Sequence, residues 1–259
     1  MDYNSHFQIP AERQNLIMET VKRDKAVNVS LLAKQFFVNE ATIRRDLNLL
    51  EKKGMIQRKY GGAVLVDALE NEIPLFVRET SNKEAKDAIA EIAADFIKDG
   101  DTLMLDSSST TMRIIPCLSA KKGLKIVTNG VKTTILLSKL TDCTVYCTGG
   151  VLRENSLSFI GNSAHGFIES FYADVFIFSC RGLDLETGLT DSNEGEAALR
   201  KLMIKNSRKS ILLIDSTKFE KTNAHKIAEI SRIDKIITEK SPGPQWLDFL
   251  KTKLIIAGG

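Results

Sequence analysis

From Lys83 onward the chain alternates between two hydrophobic periods, and that alternation limits its fold more than any other feature. Short runs rich in β-branched and apolar residues, TLMLD, KIVTN, TVYCTGG, DVFIFSC, SILLID and KIIT, read as strands. Between most of them lie segments with apolar residues three and four apart, at 112–118, 132–140, 162–171 and 194–206. A helix over 83–98, with Ala85, Ile89, Ile92, Ala93 and Phe96 inward, leads into the first strand. Strands joined through helices pair in parallel, because a parallel connection needs a long crossover. The expected fold is α/β, a mostly parallel sheet with helices on both faces. The closing LIIAGG reads as one more strand. Trp246, after the turn Ser241-Pro242-Gly243-Pro244, reads as the anchor of a C-terminal helix.

In sheets of this kind ligands bind beyond the carboxyl ends of the strands. Asp106, Ser107, Ser108, Ser109, Thr110 and Thr111 stand between TLML and the segment starting near Met112. Five hydroxyls and several backbone N–H groups at a helix start make an anion cradle; a plain hydroxyl-rich helix cap uses the same residues. Asp106 is placed to accept hydrogen bonds from a sugar hydroxyl. Other strand ends carry Thr128-Asn129-Gly130, Thr148-Gly149-Gly150, Arg181-Gly182-Leu183 and Asp215-Ser216-Thr217-Lys218. The glycines permit close backbone approach, and Lys218 offers a phosphate a point charge.

Residues 1–65 carry eleven Lys and Arg against seven Asp and Glu, while the remainder holds 25 basic and 26 acidic residues. A basic arm on a nearly neutral body is the charge pattern of a nucleic-acid binder, and equally of a solvated helical surface. Residues 12–23 place Leu16, Ile17, Thr20 and Val21 on one helical face, and a β-like patch follows at 26–29. Ser30 is expected to cap a helix over 31–37. After a turn at Val38, Asn39 caps a helix over 40–53 that buries Ile43, Leu47 and Leu50 and stops at Gly54. That leaves Thr42, Arg44, Arg45 and Asn48 exposed near the start of the second helix, the part that meets base edges in a major groove. Arg can bond guanine, and Asn adenine, bidentately. The run MIQRKYGGAV reads as a β-wing whose tip carries Arg58, Lys59 and Tyr60 toward phosphates or the minor groove.

The runs AERQNLIMETV and TIRRDLNLLEKKGMIQRKYGGAV resemble the winged helix-turn-helix of DeoR-type bacterial transcriptional regulators, densely over residues 11–65. Three residues before Thr42 stands Asn39, where the family carries a small Ser, Thr or Ala. The pieces LDSSSTT, VTNG, TGG, residues 158–161, SCRGLD, EGEAALRKLMI and DSTKF resemble the family's effector domain over roughly 75–240. The resemblance implies a small N-terminal winged helix-turn-helix (1–66), a polar linker (67–82) and an effector domain (83–259) similar in fold to ribose-5-phosphate isomerase. Part of the linker, around Leu75, Phe76 and Val77, is expected to dock on the body. The implied function is a repressor of a carbohydrate operon, released from double-stranded operator DNA by a phosphorylated sugar. By resemblance the phosphate sits on 107–111 with Lys218 close by, and Asp106, Asn129, Gly150, Gly182 and Glu196 line the rest. A homo-oligomer, dimer or tetramer, is implied, and no cofactor.

A sugar-phosphate isomerase with a fused DNA-binding arm is the alternative, since Asp106, Asp184, Glu194, Glu196 and Lys218 include the carboxylates and the cation that enediolate chemistry uses. Metal chemistry is disfavoured, because His6, His165 and His225 are widely spaced and lack partners at ligand spacing. The four cysteines form no disulfide framework. No run approaches the roughly 18 apolar residues of a membrane span, and no leader is legible at the N-terminus. A cytoplasmic protein without a membrane partner is expected.

Overall fold

A computed structural model describes residues 10–24, 26–52, 55–65, 75–140 and 142–257, and the chain divides into two units, 1–82 and 83–259. In the first, α1 (Pro10–Asp24) buries Ile17, Met18 and Val21 at helical spacing. Strand β1 (Ala26–Asn28) ends in the residue that starts the next helix. Asn28, in an extended conformation, caps α2 (Val29–Gln35) by accepting the N–H groups of Ser30 at 2.8 Å and Leu31 at 3.2 Å. The cap expected at Ser30 therefore lies two residues upstream. The helix also ends before Phe37, whose backbone turns left-handed at φ +52°. Asn39 caps α3 (Glu40–Lys52), accepting the Thr42 N–H at 2.8 Å; Gly54, the expected stop, lies outside the described residues. Strands β2 (Ile56–Lys59) and β3 (Gly62–Leu65) form the expected wing, and β3 also pairs with β1, in the antiparallel order β1-β3-β2. Ile17, Val21, Leu32, Phe36, Ile43, Leu47 and Leu50 form the shared core.

Of the expected linker, 66–74 lies outside the described residues. Beyond it the chain forms a helix, α4 (Leu75–Thr80), packed on β1. Asn28 Nδ2 donates to Thr80 Oγ1 at 3.2 Å, and Ser81 Oγ donates to the Tyr60 carbonyl at 3.2 Å. This segment was expected on the body; it belongs with the first unit.

The second unit runs through α5 (Lys83–Ala94), β4 (Thr102–Leu105), β5 (Leu124–Thr128), α6 (Val131–Leu137), β6 (Cys143–Cys147), β7 (Val151–Arg153), β8 (Ser158–Ile160), α7 (Asn162–Glu169) and β9 (Ala173–Phe178). It continues through β10 (Gly182–Asp184), β11 (Gly188–Asp191), α8 (Glu194–Lys205), β12 (Ser207–Leu213), β13 (His225–Ala228), β14 (Lys235–Thr238), α9 (Pro244–Leu250) and β15 (Leu254–Ile256). Seven strands make one parallel sheet in the order β15-β14-β12-β9-β4-β5-β6, the six expected strands and the one at LIIAGG among them. The central strands bury Leu103, Met104, Leu105, Phe176, Ile177 and Phe178 completely, the unbroken apolar run of strands covered on both faces. Trp246 of α9 is buried edge-on against Phe219, ring centroids 4.9 Å apart, so the expected anchor is in place.

Two features differ from expectation. The segment at 112–118 is not α-helical but part of a 3-10 helix, Thr111–Ala120, with Pro116 inside it; proline lacks the N–H an α-helix would use there. The β7–β8 hairpin and the antiparallel sheet β10-β11-β13 were not anticipated, their strands being three or four residues long.

Candidate functional site

In a doubly wound sheet the crevice opens beyond the strand ends where the order reverses. Here that point lies between β4 and β9, at Asp106 and Ser179. Asp106 bridges it. Its Oδ2 accepts the Ser179 N–H at 3.2 Å and Arg200 Nε at 2.8 Å, and its Oδ1 accepts the Ser108 N–H at 3.1 Å. At 1% exposure, this carboxylate has both oxygens engaged by protein donors.

Arg200, on α8, gathers three carboxylates. Besides Asp106 it approaches Asp191 Oδ2 at 3.1 Å and Glu196 Oε2 at 3.3 Å. Burial opposes its charge, but Asp106, Asp191 and Glu196 outweigh burial and hold the guanidinium protonated well above its ordinary range. Glu196 Oε1 accepts in turn from Arg153 Nη1 at 3.1 Å, from Ser156 Oγ at 3.1 Å and from Ser158 Oγ. One glutamate thereby pins the β7–β8 hairpin to α8.

The hydroxyl loop lies beside this network. Ser107, Ser108, Ser109, Thr110 and Thr111 are all buried. Ser108 Oγ donates to Thr111 Oγ1 at 2.8 Å and accepts the Thr111 N–H at 3.1 Å, so part of the loop is bonded to the first residue of the adjoining 3-10 helix. Ser109 Oγ accepts from Lys86 Nζ at 3.1 Å. Lys218 Nζ donates to Ser179 Oγ at 2.9 Å and lies 3.6 Å from Asp215 Oδ2. Burial works against the Asp215 charge, yet Lys218, the Thr217 hydroxyl and Lys86 together hold its carboxyl below the ordinary value. Two ammonium groups thus act on one carboxylate next to the loop.

Asn129 donates from Nδ2 to the Phe159 carbonyl at 3.1 Å. Its Oδ1, with Thr110 Oγ1 and Thr133 Oγ1, is buried without a protein partner. A Cβ on Gly130 would lie 2.5 Å from Thr133 Oγ1 and 3.1 Å from Ser107 Cα, so these residues close on one another. Gly150 and Gly182 serve chain packing, since a Cβ would meet the Ile160 carbonyl at 2.6 Å or the Lys221 carbonyl at 2.1 Å. A Cβ on Gly149 would meet nothing within 4 Å.

Sequence reading missed Lys86, Arg153, Ser179, Asp191 and Arg200. Lys86 carried a legible signal, because it occupies the same helical stripe as Ile89, Ala90 and Ala93 and is 3% exposed. A lysine on the apolar stripe of a helix asks for a buried partner.

In the first unit, Arg44, Arg45 and Asn48 are exposed along α3. Asn39 Oδ1 is taken by the Thr42 N–H and by Thr42 Oγ1 at 2.9 Å. Arg44 Nη2 pairs with Glu40 Oε2 at 2.7 Å. Arg58 turns back from the wing onto α3, its Nη1 donating to Asn48 Oδ1 at 2.5 Å and to the Arg44 carbonyl at 3.0 Å. Lys59 is half-buried, and Tyr60 stands 77% exposed at the wing tip. Behind α3, Asp46 is buried against Arg13 Nε at 2.5 Å and Gln14 Nε2 at 3.2 Å.

The family model of the DeoR-like helix-turn-helix domain matches residues 13–68, and that of the DeoR C terminal sensor domain matches residues 81–240. The chain is 38% identical to the uncharacterized HTH-type transcriptional regulator YulB of Bacillus subtilis, over 95% of each chain. It is 35% identical to the HTH-type transcriptional regulator GolR of Listeria innocua, over 89% of this chain and 91% of that one. It is 32% identical to the glycerol-3-phosphate regulon repressor of Escherichia coli, again over 89% and 91%. A solved D-ribose-5-phosphate isomerase in complex with phospho-erythronic acid is similar at TM-score 0.41 and 17% identity, covering 53% of this chain and 54% of that one, too slight a likeness to bear on function. With both domain types matched in order, and with relatives aligned along nearly its whole length, the chain belongs to the DeoR family of transcriptional regulators.

Proposed function

We propose that the chain represses a carbohydrate operon in the cytoplasm, binding double-stranded operator DNA as a homo-oligomer and releasing it when a phosphorylated sugar binds between β4 and β9. The observation that carries the ligand half is the convergence of Lys86, Lys218 and the buried hydroxyl loop at the point of strand-order reversal. The hydroxyls of residues 107–111 and Lys86 take the phosphate. Lys218 and the unpartnered Asn129 Oδ1 and Thr133 Oγ1 serve the sugar, and Gly130, Gly149, Gly150 and Gly182 shape the surrounding loops. Asp106 and Glu196 act behind the ligand, holding Arg200 and the β7–β8 hairpin. The relative named as the glycerol-3-phosphate regulon repressor supports repression as the sign of regulation.

On the DNA side, α3 enters the major groove by its leading half, with Asn39, Thr42 and Arg45 toward the DNA, and Lys59 and Tyr60 meet the backbone from the wing. Release requires that the sugar phosphate bind the DNA-free arrangement more tightly than the DNA-bound one. We read the crevice as non-catalytic, because Asp106, Asp191 and Glu196 are already held by Arg200. The test is fluorescence anisotropy on duplexes from upstream of the gene and its neighbours, with and without a panel of sugar phosphates. Specific binding released by one of them is expected. Binding that no sugar phosphate alters would refute the ligand, and turnover of a sugar phosphate would refute the non-catalytic reading.

A further inference from the structure

Taking the operator-binding reading as given, we infer that Arg45 is the arginine of α3 that reads a base, while Arg58 and Asn48 position α3 instead of contacting DNA. The buried residues Ile43, Asp46, Leu47 and Leu50 mark the inner face of α3. At 100° per residue, Arg45 lies opposite that face with Ala41 and Lys52, whereas Arg44 and Glu51 lie on one flank. The contacts identify that flank as the side of the wing. Glu51 Oε1 accepts the Arg58 N–H at 2.7 Å, and the Arg58 guanidinium serves Asn48 Oδ1 at 2.5 Å, the Arg44 carbonyl at 3.0 Å and the Gly62 carbonyl at 3.2 Å.

This clasp turns two groups that would otherwise read or hold DNA onto each other. Bidentate recognition of adenine needs the acceptor of an Asn side chain as well as its donor, and Asn48 Oδ1 is turned toward the Arg58 guanidinium at 2.5 Å. Arg58 commits three of its five N–H donors, the one on Nε and both on Nη1, inside the unit, so that edge of its fork faces α3 and the β3 backbone. Arg44 is drawn along the helix toward Glu40. On the inner side, Arg13 and Gln14 of α1 hold Asp46. The helix is therefore gripped from two sides, and among the described residues no ion pair or hydrogen bond engages the Arg45 side chain.

The probe is a duplex recovered by the wild-type chain from a randomised DNA pool; failure to enrich any sequence would sink the operator-binding reading itself. On the recovered duplex, Arg45→Ala lowers discrimination against a scrambled duplex by roughly 5- to 150-fold, and Arg44→Ala leaves discrimination near wild type. Arg58→Ala and Arg58→Lys weaken binding alike and keep the wild-type salt slope, because lysine retains the charge but lacks the fork. Asn48→Ala behaves in the same way and adds nothing to Arg58→Ala, as expected for two ends of one interaction. Discrimination lost with Arg44→Ala and kept with Arg45→Ala would overturn the assignment of the base reader. Binding restored by Arg58→Lys, with Arg58→Ala losing about one unit of salt slope, would make Arg58 a phosphate contact.

Discussion

Replacing Arg200 by methionine removes the one cation that Asp106, Asp191 and Glu196 share while keeping a side chain of comparable length. Asp106 loses its 2.8 Å partner and Asp191 its 3.1 Å partner, whereas Glu196 still holds Arg153 at 3.1 Å. Leaving a buried charge without its partner costs about 3–5 kcal/mol. Two carboxylates are stranded here, but each keeps backbone donors: Ser108 and Ser179 on Asp106, Ser192 and Asn193 on Asp191. The middle of that range, about 4 kcal/mol, is therefore expected. For a unit of this size each kcal/mol moves the thermal midpoint by about 2–4 °C, so the second unit should melt roughly 8–16 °C lower. Differential scanning calorimetry on the full chain reads this directly. The double variant Asp106→Asn with Asp191→Asn, added to Arg200→Met, should recover part of the loss because the stranded charges are gone. A midpoint within about 2 °C of wild type would refute the reasoning, since only a well-solvated network costs so little.

Lys86→Ala and Lys218→Ala should each abolish release by the effector while leaving operator affinity intact, read by anisotropy titration; normal release in either variant removes that lysine from the site. Asp215 has a depressed carboxyl pKa, so its contribution to stability is present above the unfolded value of about 3.9 and is lost as pH falls through the lower folded value. The stability gap between wild type and Asp215→Asn, measured by urea unfolding, should therefore shrink below about pH 4; a gap independent of pH contradicts the pairing. Burial pushes the Cys180 thiol up to about 12. In the native protein it should resist iodoacetamide at neutral pH, which mass spectrometry of the labelled chain would check, and rapid labelling would refute its burial.

The parallel sheet was legible because strands covered on both faces read as unbroken apolar runs, and residues 103–105 and 175–178 do. The second helix of the first unit and the wing were legible for another reason: a cap, a 3.6-residue stripe and a Gly-Gly turn are local signals. The errors arise where local chemistry is degenerate or the partner is remote. Asn28 and Ser30 can each cap a helix, and only the end of β1 decides between them. Pro116 could have been read against an α-helix at 112–118, since the residue itself carries the objection. The bond from Arg200 to Asp106 crosses 94 positions, and no spacing within α8 points to it. Arg58 reads as a free basic residue at a wing tip, and only the closing of the wing on α3 turns it inward.

The stitches at Thr80 and Ser81 decide where this chain can be cut. Severed after residue 66, the first unit would leave Asn28 Nδ2 and the Tyr60 carbonyl to water, loosening the start of α2 and the tip of the wing together. Severed after Asn82, it keeps both. A graft that joins this operator reader to the sensor of a relative would carry α4 across with the reader, so the natural splice lies after Asn82, well beyond the last strand of the wing, which ends at Leu65.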